Sequence, residues 1–80
     1  MYLKDAIETR ITNLCKEHNI TINKLCIICG ITQSTLANLK ARPRTNVSIL
    51  TILRICRGLN IKIEDFFHDP LFDNNDFDDD

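Results

Sequence analysis

Apolar residues recur along this chain at intervals of three and four, which is the spacing of one face of an α-helix. The first such run predicts a helix over about residues 3 to 18, with Arg10 and the other charged residues mostly outside its apolar stripe. Asn19 tolerates the left-handed conformation that ends many helices, and Ile20 is expected to pack back on the last turn. The predicted inward positions are Leu3, Ile7, Ile11 and Leu14.

The next stretch predicts two short helices, over about residues 22–29 and from 33 to 40 or 41, joined by a tight turn at Gly30. Thr21 and Thr32 can cap them, because a hydroxyl accepts a hydrogen bond from a free backbone N–H of the first turn. Gly30 adopts positive φ without steric cost. The predicted inward positions are Leu25, Cys26, Cys29, Ile31, Leu36 and Leu39.

A fourth helix should begin after Ser48, a hydroxyl cap, and end at Asn60, which is suited to the left-handed conformation. A short fifth helix should follow and close the core, ending at about residue 68. The predicted inward positions are Ile49, Ile52, Leu53, Cys56 and Leu59, then Ile61, Ile63, Phe66 and Phe67. With two Gly and two Pro in 80 residues, the chain predicts an all-α fold of five helices.

Charge divides the chain more sharply than its net value of −1 suggests. Residues 1–68 hold all ten Lys and Arg against five Asp and Glu, so their net charge is 10 − 5 = +5. Residues 69–80 hold six Asp, so their net charge is −6. We therefore predict a basic domain over 1–68 and an acidic, disordered tail over 69–80, with the disorder beginning at about residue 73. The balance favours a polyanion as partner, with the tail masking the basic face.

The order of caps, turn and polar helix resembles the lambda-repressor-like (Cro-type, XRE family) helix-turn-helix domain. The matching features are Thr21, Leu25-Cys26, Gly30, Ile31, Thr32 and the polar run from Gln33 to Asn38, followed by segments at 46–49, 51–56, 59–61 and 64–67. The resemblance covers about residues 7 to 67. It implies a five-helix bundle whose third helix enters the DNA major groove, and a sequence-specific transcriptional regulator, a repressor, acting as a homodimer on double-stranded DNA with two-fold symmetry.

The resemblance also assigns DNA contacts to particular residues. Gln33, Ser34 and Asn38 fall on base-reading positions, and amide side chains can pair bidentately with adenine. The positions that would contact the DNA backbone are Thr21, Thr32, Thr35, Lys40, Arg42 and Arg44. Such contacts position a domain on DNA without specifying sequence.

Three positions depart from the family pattern. Ile22 stands where the family often has Gln, which helps to hold both the DNA backbone and the third helix. Lys24 replaces a common Glu, so no capping box with Thr21 is expected. Arg42 replaces a common Gly, and the helix must stop there because the next residue is proline. The departures predict fewer DNA contacts or a shifted site.

An alternative function is a protein-interaction module, such as an antitoxin or an adaptor, on the same fold. The apolar residues Ile22, Ile27 and Ile28 lie where the family is usually polar, and Phe72 and Phe77 interrupt the acidic tail. The three isoleucines could be partly buried against neighbouring helices or could form an exposed patch for a partner. The dimer interface is expected either at the face of Ile27 and Ile28 or at the fifth helix with Phe67, Leu71 and Phe72.

Nothing in the sequence indicates an enzyme. There is no glycine-rich phosphate loop and no nucleophile elbow, and His18 and His68 lie far apart. We expect no cofactor and no small-molecule substrate. No apolar run approaches a membrane span or a signal peptide, so we expect a cytoplasmic protein with reduced thiols.

The four cysteines leave three interpretations open. Cys26 and Cys29 have the CxxC spacing, and Cys15 with His18 offers a second pair for tetrahedral zinc. A redox-sensing thiol is also conceivable. Buried free cysteine, however, behaves as a small apolar residue. Cys26, Cys29 and Cys56 stand where the family buries small or aliphatic residues, so we favour core packing and predict no metal site.

Overall fold

The computed structural model describes residues 1–41 and 47–78, with residues 39–41 described by their backbone alone. Within these residues the chain is all-α, as predicted, with one isolated β-bridge between Tyr2 and Asp78. No helix among the described residues is long and apolar enough to span a membrane. The elements are α1 (Leu3–Glu17), α2 (Ile22–Cys29), α3 (Gln33–Ala41), α4 (Ile49–Leu59), α5 (Ile63–Phe67) and a 3₁₀ helix (Pro70–Phe72).

The predicted hydroxyl caps are confirmed at the starts of α2 and α4. The backbone N–H of Lys24 donates to Oγ1 of Thr21 over 3.1 Å. The backbone N–H of Thr51 donates to Oγ of Ser48 over the same distance. Because isolated short helices are marginal in water, these caps help to fix where each helix begins.

The predicted helix ends are confirmed by three residues with positive φ: Asn19 at 56°, Gly30 at 67° and Asn60 at 58°. After each of them, an isoleucine N–H donates to a carbonyl five residues earlier in the chain. These bonds run from Ile20 to Cys15, from Ile31 to Cys26 and from Ile61 to Cys56. All three isoleucines then pack on the core, so each turn is closed by a backbone bond and an apolar contact.

The core lies between α1, α2 and α4, with α3 against α1 and α5 against α4. The helices α2 and α4 pack tightly at Gly58 of α4, where an added Cβ would lie 2.4 Å from Sγ of Cys29 and 3.0 Å from Cγ2 of Ile28. A glycine is therefore required where α4 meets α2. The buried core residues are Ile7, Ile11, Leu14, Cys15, Leu25, Cys26, Cys29, Leu36, Ile52, Ile55, Cys56, Leu59 and Phe66.

Three predicted inward positions were wrong. Leu3, Ile49 and Ile63 are exposed, Ile49 by 64%. Each is the first residue of its helix. Because Cα–Cβ bonds tilt toward the helix N-terminus, a side chain at the first position points past the end of the packed face. The predicted inward position of Leu39 and the loop over 42–46 lie outside the described residues.

The prediction for Arg10 was also wrong, because this side chain is buried, with 7% exposed. Its Nε donates to the carbonyl of Phe66 over 2.7 Å, and its Nη2 donates to the carbonyl of Asp65 over 2.7 Å. Its Nη1 pairs with Asp69 over 3.2 Å. The guanidinium thereby satisfies carbonyls at the C-terminal end of α5, and a charged group so fully bonded can be buried.

The segment after α5 contacts the rest of the domain at two places. Phe72 packs in an edge-to-face contact with Phe67, with ring centroids 5.1 Å apart, so the 3₁₀ helix covers part of the core. Further along, the N–H of Asp78 donates to the carbonyl of Met1 over 3.0 Å, and its carboxylate pairs with the Met1 amino group. The division at residue 69 into domain and tail stays a prediction.

Candidate nucleic-acid interface

The N-terminal end of α3 is a cluster of hydroxyl groups. Thr32 caps the helix by accepting a hydrogen bond from the N–H of Thr35 over 3.3 Å, as the sequence predicts. Its Oγ1 also lies 2.8 Å from Oγ1 of Thr35 and 3.1 Å from Oγ of Ser34. All three residues are exposed. A helix N-terminus with free N–H groups and hydroxyl donors attracts anions such as phosphate.

Gln33, the first residue of α3, is tied to α2. Its Nε2 donates a hydrogen bond to Oδ1 of Asn23, and both side chains are exposed. The bond uses one amide hydrogen of Gln33, so Oε1 and the second hydrogen stay available for another partner. A shallow cavity of about 370 Å³ adjoins the pair, lined by Glu8, Ile11, Thr12, Ile22, Asn23, Gln33, Leu36 and Ala37.

The structure brings together part of the predicted site. Gln33, Ser34 and Thr35 follow one another on the first turn of α3, and Asn38, one turn further along, is half-buried. Thr21 is exposed, but its hydroxyl is used to cap α2. The side chain of Lys40 lies outside the described residues, as do Arg42 and Arg44.

The helices α2, α3 and α4 carry no acidic side chain, although Glu8 of α1 lines the adjoining cavity. Between Glu17 and Glu64 the chain contains no Asp or Glu, while it contains seven Lys and Arg. This span includes all of α2, α3 and α4. No carboxylate of these helices therefore opposes the approach of a polyanion.

Comparisons with known proteins agree with the fold and with the predicted resemblance. The family profile of the Cro/C1-type HTH DNA-binding domain matches residues 10–70. The chain belongs to this family.

The chain is also similar to two phage-related proteins. It is 35% identical over 57 residues to the SPbeta prophage-derived uncharacterized HTH-type transcriptional regulator YopS of Bacillus subtilis (strain 168), across 71% of this chain and 77% of that protein. Its structure resembles the crystal structure of the prophage Lp1 protein 11, with a TM-score of 0.82 and 27% identity, across 92% of this chain and 99% of that one.

In this Cro/C1-type domain, Asn23 is the residue that sequence reasoning missed. The family pattern places a hydrogen-bonding residue at position 22, where the side chain of Ile22 can neither donate nor accept. The structure shows that the neighbouring residue makes that bond, since Oδ1 of Asn23 accepts from Gln33. The available signal was a polar amide one position beyond the expected one. Helical spacing alone does not tell which of the two positions reaches α3.

The four thiols of this domain are all free and buried. Burial raises the pKa of Cys15, Cys26, Cys29 and Cys56, which keeps them protonated and weakly nucleophilic. Sγ of Cys29 lies 3.8 Å from the carbonyl oxygen of Ile55, where α2 packs on α4. Among the described residues, no three His, Cys, Asp or Glu side chains come together in a group that could hold a metal ion.

Proposed function

We propose that this Cro/C1-type domain is a sequence-specific transcriptional repressor that inserts the N-terminal half of α3 into the DNA major groove. The observation that carries the proposal is the bond between Asn23 and Gln33. It holds the Gln33 amide while Oε1 and one hydrogen stay available, which is the pair of groups that recognises N6 and N7 of adenine. Ser34 and Asn38 read neighbouring bases from the same face of the helix.

Backbone contacts position the domain on the duplex. The hydroxyl cluster of Thr32 and Thr35 at the start of α3 is suited to one phosphate, because the helix N-terminus adds its own positive potential. Thr21 contacts the backbone at the start of α2. In this proposal Lys40, Arg42 and Arg44 contribute the charged contacts, and Arg is well matched to phosphate by its planar fork.

A homodimer reads a two-fold operator in this proposal. One protomer measures 32 Å along its longest axis, which is comparable to the roughly 34 Å between successive half-sites on one face of DNA. Of the two predicted interfaces we choose the one formed by the fifth helix and the 3₁₀ helix that follows it. There Phe67, Leu71 and Phe72 are half-buried within one protomer and keep apolar surface for a second. Repression follows by occlusion of the operator, in the cytoplasm.

The first experiment is a fluorescence-anisotropy titration at several salt concentrations. The full chain is titrated onto random duplex DNA and onto DNA flanking its own gene. We expect binding that weakens steeply with salt and is tighter on the flanking DNA, and the slope counts the phosphates neutralised. Absence of binding at about 50 mM salt, where nonspecific contacts are normally strong, would refute the proposal.

A protein-interaction module is the second candidate function. The exposed isoleucines of α2 favour it, since Ile27 is 69% exposed and Ile28 is exposed as well. Scattered apolar residues are ordinary on a surface, but adjacent ones indicate a contact. This function predicts co-purification with a stable partner together with no salt-dependent DNA binding. Salt-dependent binding that prefers the flanking DNA would instead support a transcriptional regulator.

A further inference from the structure

Two exposed stripes run along the packed helices α2 and α4. On α2, Lys24, Ile27 and Ile28 share one side at intervals of three and four. On α4, Leu50, Arg54 and Arg57 do the same. All six side chains are exposed. We call these six residues the α2–α4 surface.

The two stripes come together beside Gly58, where α4 packs on α2. Gly58 follows Arg57 in the chain, and a Cβ at Gly58 would lie 3.0 Å from Cγ2 of Ile28. The surface is therefore continuous across the two helices at this point.

The α2–α4 surface borders the side of α2 that carries Asn23. Asn23, which holds Gln33 of α3, and Ile28, which meets α4, are five residues apart. At 3.6 residues per turn, five residues correspond to a rotation of roughly 140° around the helix, whereas Ile27, four residues after Asn23, lies beside it. A partner centred on Ile28 and α4 therefore leaves the Asn23–Gln33 pair uncovered, with Ile27 at the edge of the surface next to that pair.

The charge of the surface selects its partner. Ion pairs within the described part of the chain involve the Met1 amino group, Lys4, Arg10 and Lys62, and none involves Lys24, Arg54 or Arg57. No acidic residue occurs on α2 or α4. A second copy related by a two-fold axis would place these cations against one another, which is unfavourable. Phosphate would match the cations but would leave three apolar side chains without a partner.

We propose that the α2–α4 surface docks an acidic amphipathic segment of a partner protein while α3 stays available to DNA. Glutamate or aspartate side chains of that segment pair with Arg54, Arg57 and Lys24. Its apolar side chains cover Ile27, Ile28 and Leu50, in the manner of a helix laid on a groove. This docking does not depend on which DNA sequence the domain reads.

The test uses a synthetic amphipathic helix of leucine and glutamate, titrated into the ¹⁵N-labelled full chain. We expect binding, with amide shifts confined to α2 and α4. The matched peptides replace every glutamate by lysine or every leucine by serine, and both should fail to bind. If the leucine–glutamate peptide does not bind, or if the serine peptide binds equally well, the proposal is refuted.

Paired variants separate this surface from general charge. We expect the double variant R54E/R57E to weaken peptide binding by roughly tenfold or more, the equivalent of about 1.4 kcal/mol. The control K16E/K62E reverses two exposed cations elsewhere and should change it little. Ile27→Ser should weaken binding, whereas Leu3→Ser, an exposed apolar control, should not. Equal losses in variant and control would overturn the assignment.

Two further measurements distinguish the other possible occupants. R54E/R57E should lose no more affinity for random duplex DNA than K16E/K62E, which changes the net charge equally, and a larger loss of DNA binding without a loss of peptide binding would make this a phosphate-contacting surface instead. Sedimentation of the chain and of Ile27→Ser should give the same oligomeric state. A dimer that Ile27→Ser dissociates would show that a second copy covers the surface. Melting curves establish that each variant is folded.

Discussion

Two connections between helices in this molecule are built in opposite ways. In one, the buried Arg10 ties α1 to the last turn of α5 through two carbonyl bonds and an ion pair with Asp69. In the other, the exposed Gln33 ties α3 to α2 through a single side-chain bond to Asn23. The first connection is buried and consists of several bonds, whereas the second is exposed to water and consists of one bond.

This difference separates stability from recognition. A buried charge must keep its partners, so the bonds of Arg10 have one arrangement, and breaking them has a large free-energy cost. An exposed amide can exchange its partner for water at little cost, so Gln33 can turn part of its hydrogen-bonding capacity to a DNA base. We therefore expect substitutions at Arg10 to act on the free energy of unfolding and substitutions at the α3 end to act on DNA affinity.

Arg10→Met should have the largest effect. Removing the guanidinium leaves the carbonyls of Asp65 and Phe66 without their donor, and we expect a loss of about 3 kcal/mol or more in the free energy of unfolding. Urea titration followed by circular dichroism measures it. Arg57→Met is the matched control, an exposed arginine whose loss should change stability by less than about 0.5 kcal/mol. Equal losses would show that the Arg10 bonds contribute nothing specific.

Gln33→Ala and Asn38→Ala should each cost about 1–3 kcal/mol in binding to the specific site, with little effect on random DNA. The reason is that base contacts carry the sequence preference while phosphate contacts do not. Anisotropy titrations on both DNAs measure the difference. Because both side chains are at the surface of α3, the midpoint of unfolding should stay within the range of surface substitutions. Equal losses on both DNAs would contradict base reading.

Gly58→Ala tests the contact that α2 and α4 share. The added methyl group would press on Sγ of Cys29 at 2.4 Å, and overpacking of this kind costs about 1–3 kcal/mol, from which about 1 kcal/mol of helix propensity is regained. Urea titration gives the net loss. Cys29→Ala removes the sulfur, so in the double variant the alanine at position 58 should cost less. If the two changes are simply additive, the close contact is not what requires a glycine.

Much of this fold could be predicted because its signals are local. The hydroxyl caps at Thr21, Thr32 and Ser48 and the left-handed ends at Asn19 and Asn60 depend on neighbours within a few residues. Periodicity then gave the helices. It failed at first positions such as Ile49, where the side chain points beyond the core, and it missed the buried Ile55 and Cys15.

The remaining features join distant parts of the chain and have no local signal. Arg10 contacts residues more than fifty positions away, and nothing in the α1 pattern distinguishes it from a solvated cation. The same holds for Asn23 and Gln33, which lie ten positions apart across the turn. Candidate base-reading residues could be named from family resemblance, but the partner of Gln33 depended on which residue of α2 reaches α3.

Asn23→Ala should have the smallest effect, and it tests the bond between Asn23 and Gln33 most directly. Without the acceptor, the Gln33 amide is free to rotate, and fixing its rotamer on DNA then costs about 0.5–1.5 kcal/mol of specific affinity. Random-DNA binding and the unfolding midpoint should not change. Asn23→Asp keeps an acceptor but adds a negative charge near DNA. It should therefore weaken binding to both DNAs without increasing the preference for the specific site.

The double variant with Gln33→Ala decides whether Asn23 acts through Gln33. If it does, Asn23→Ala should cost nothing further once Gln33 is gone, because the bond it supplied has lost its donor. Additive losses would mean instead that Asn23 contacts DNA on its own. In that case Asn23 and Gln33 would each contact DNA independently, unlike the bonds of Arg10, which all depend on one guanidinium.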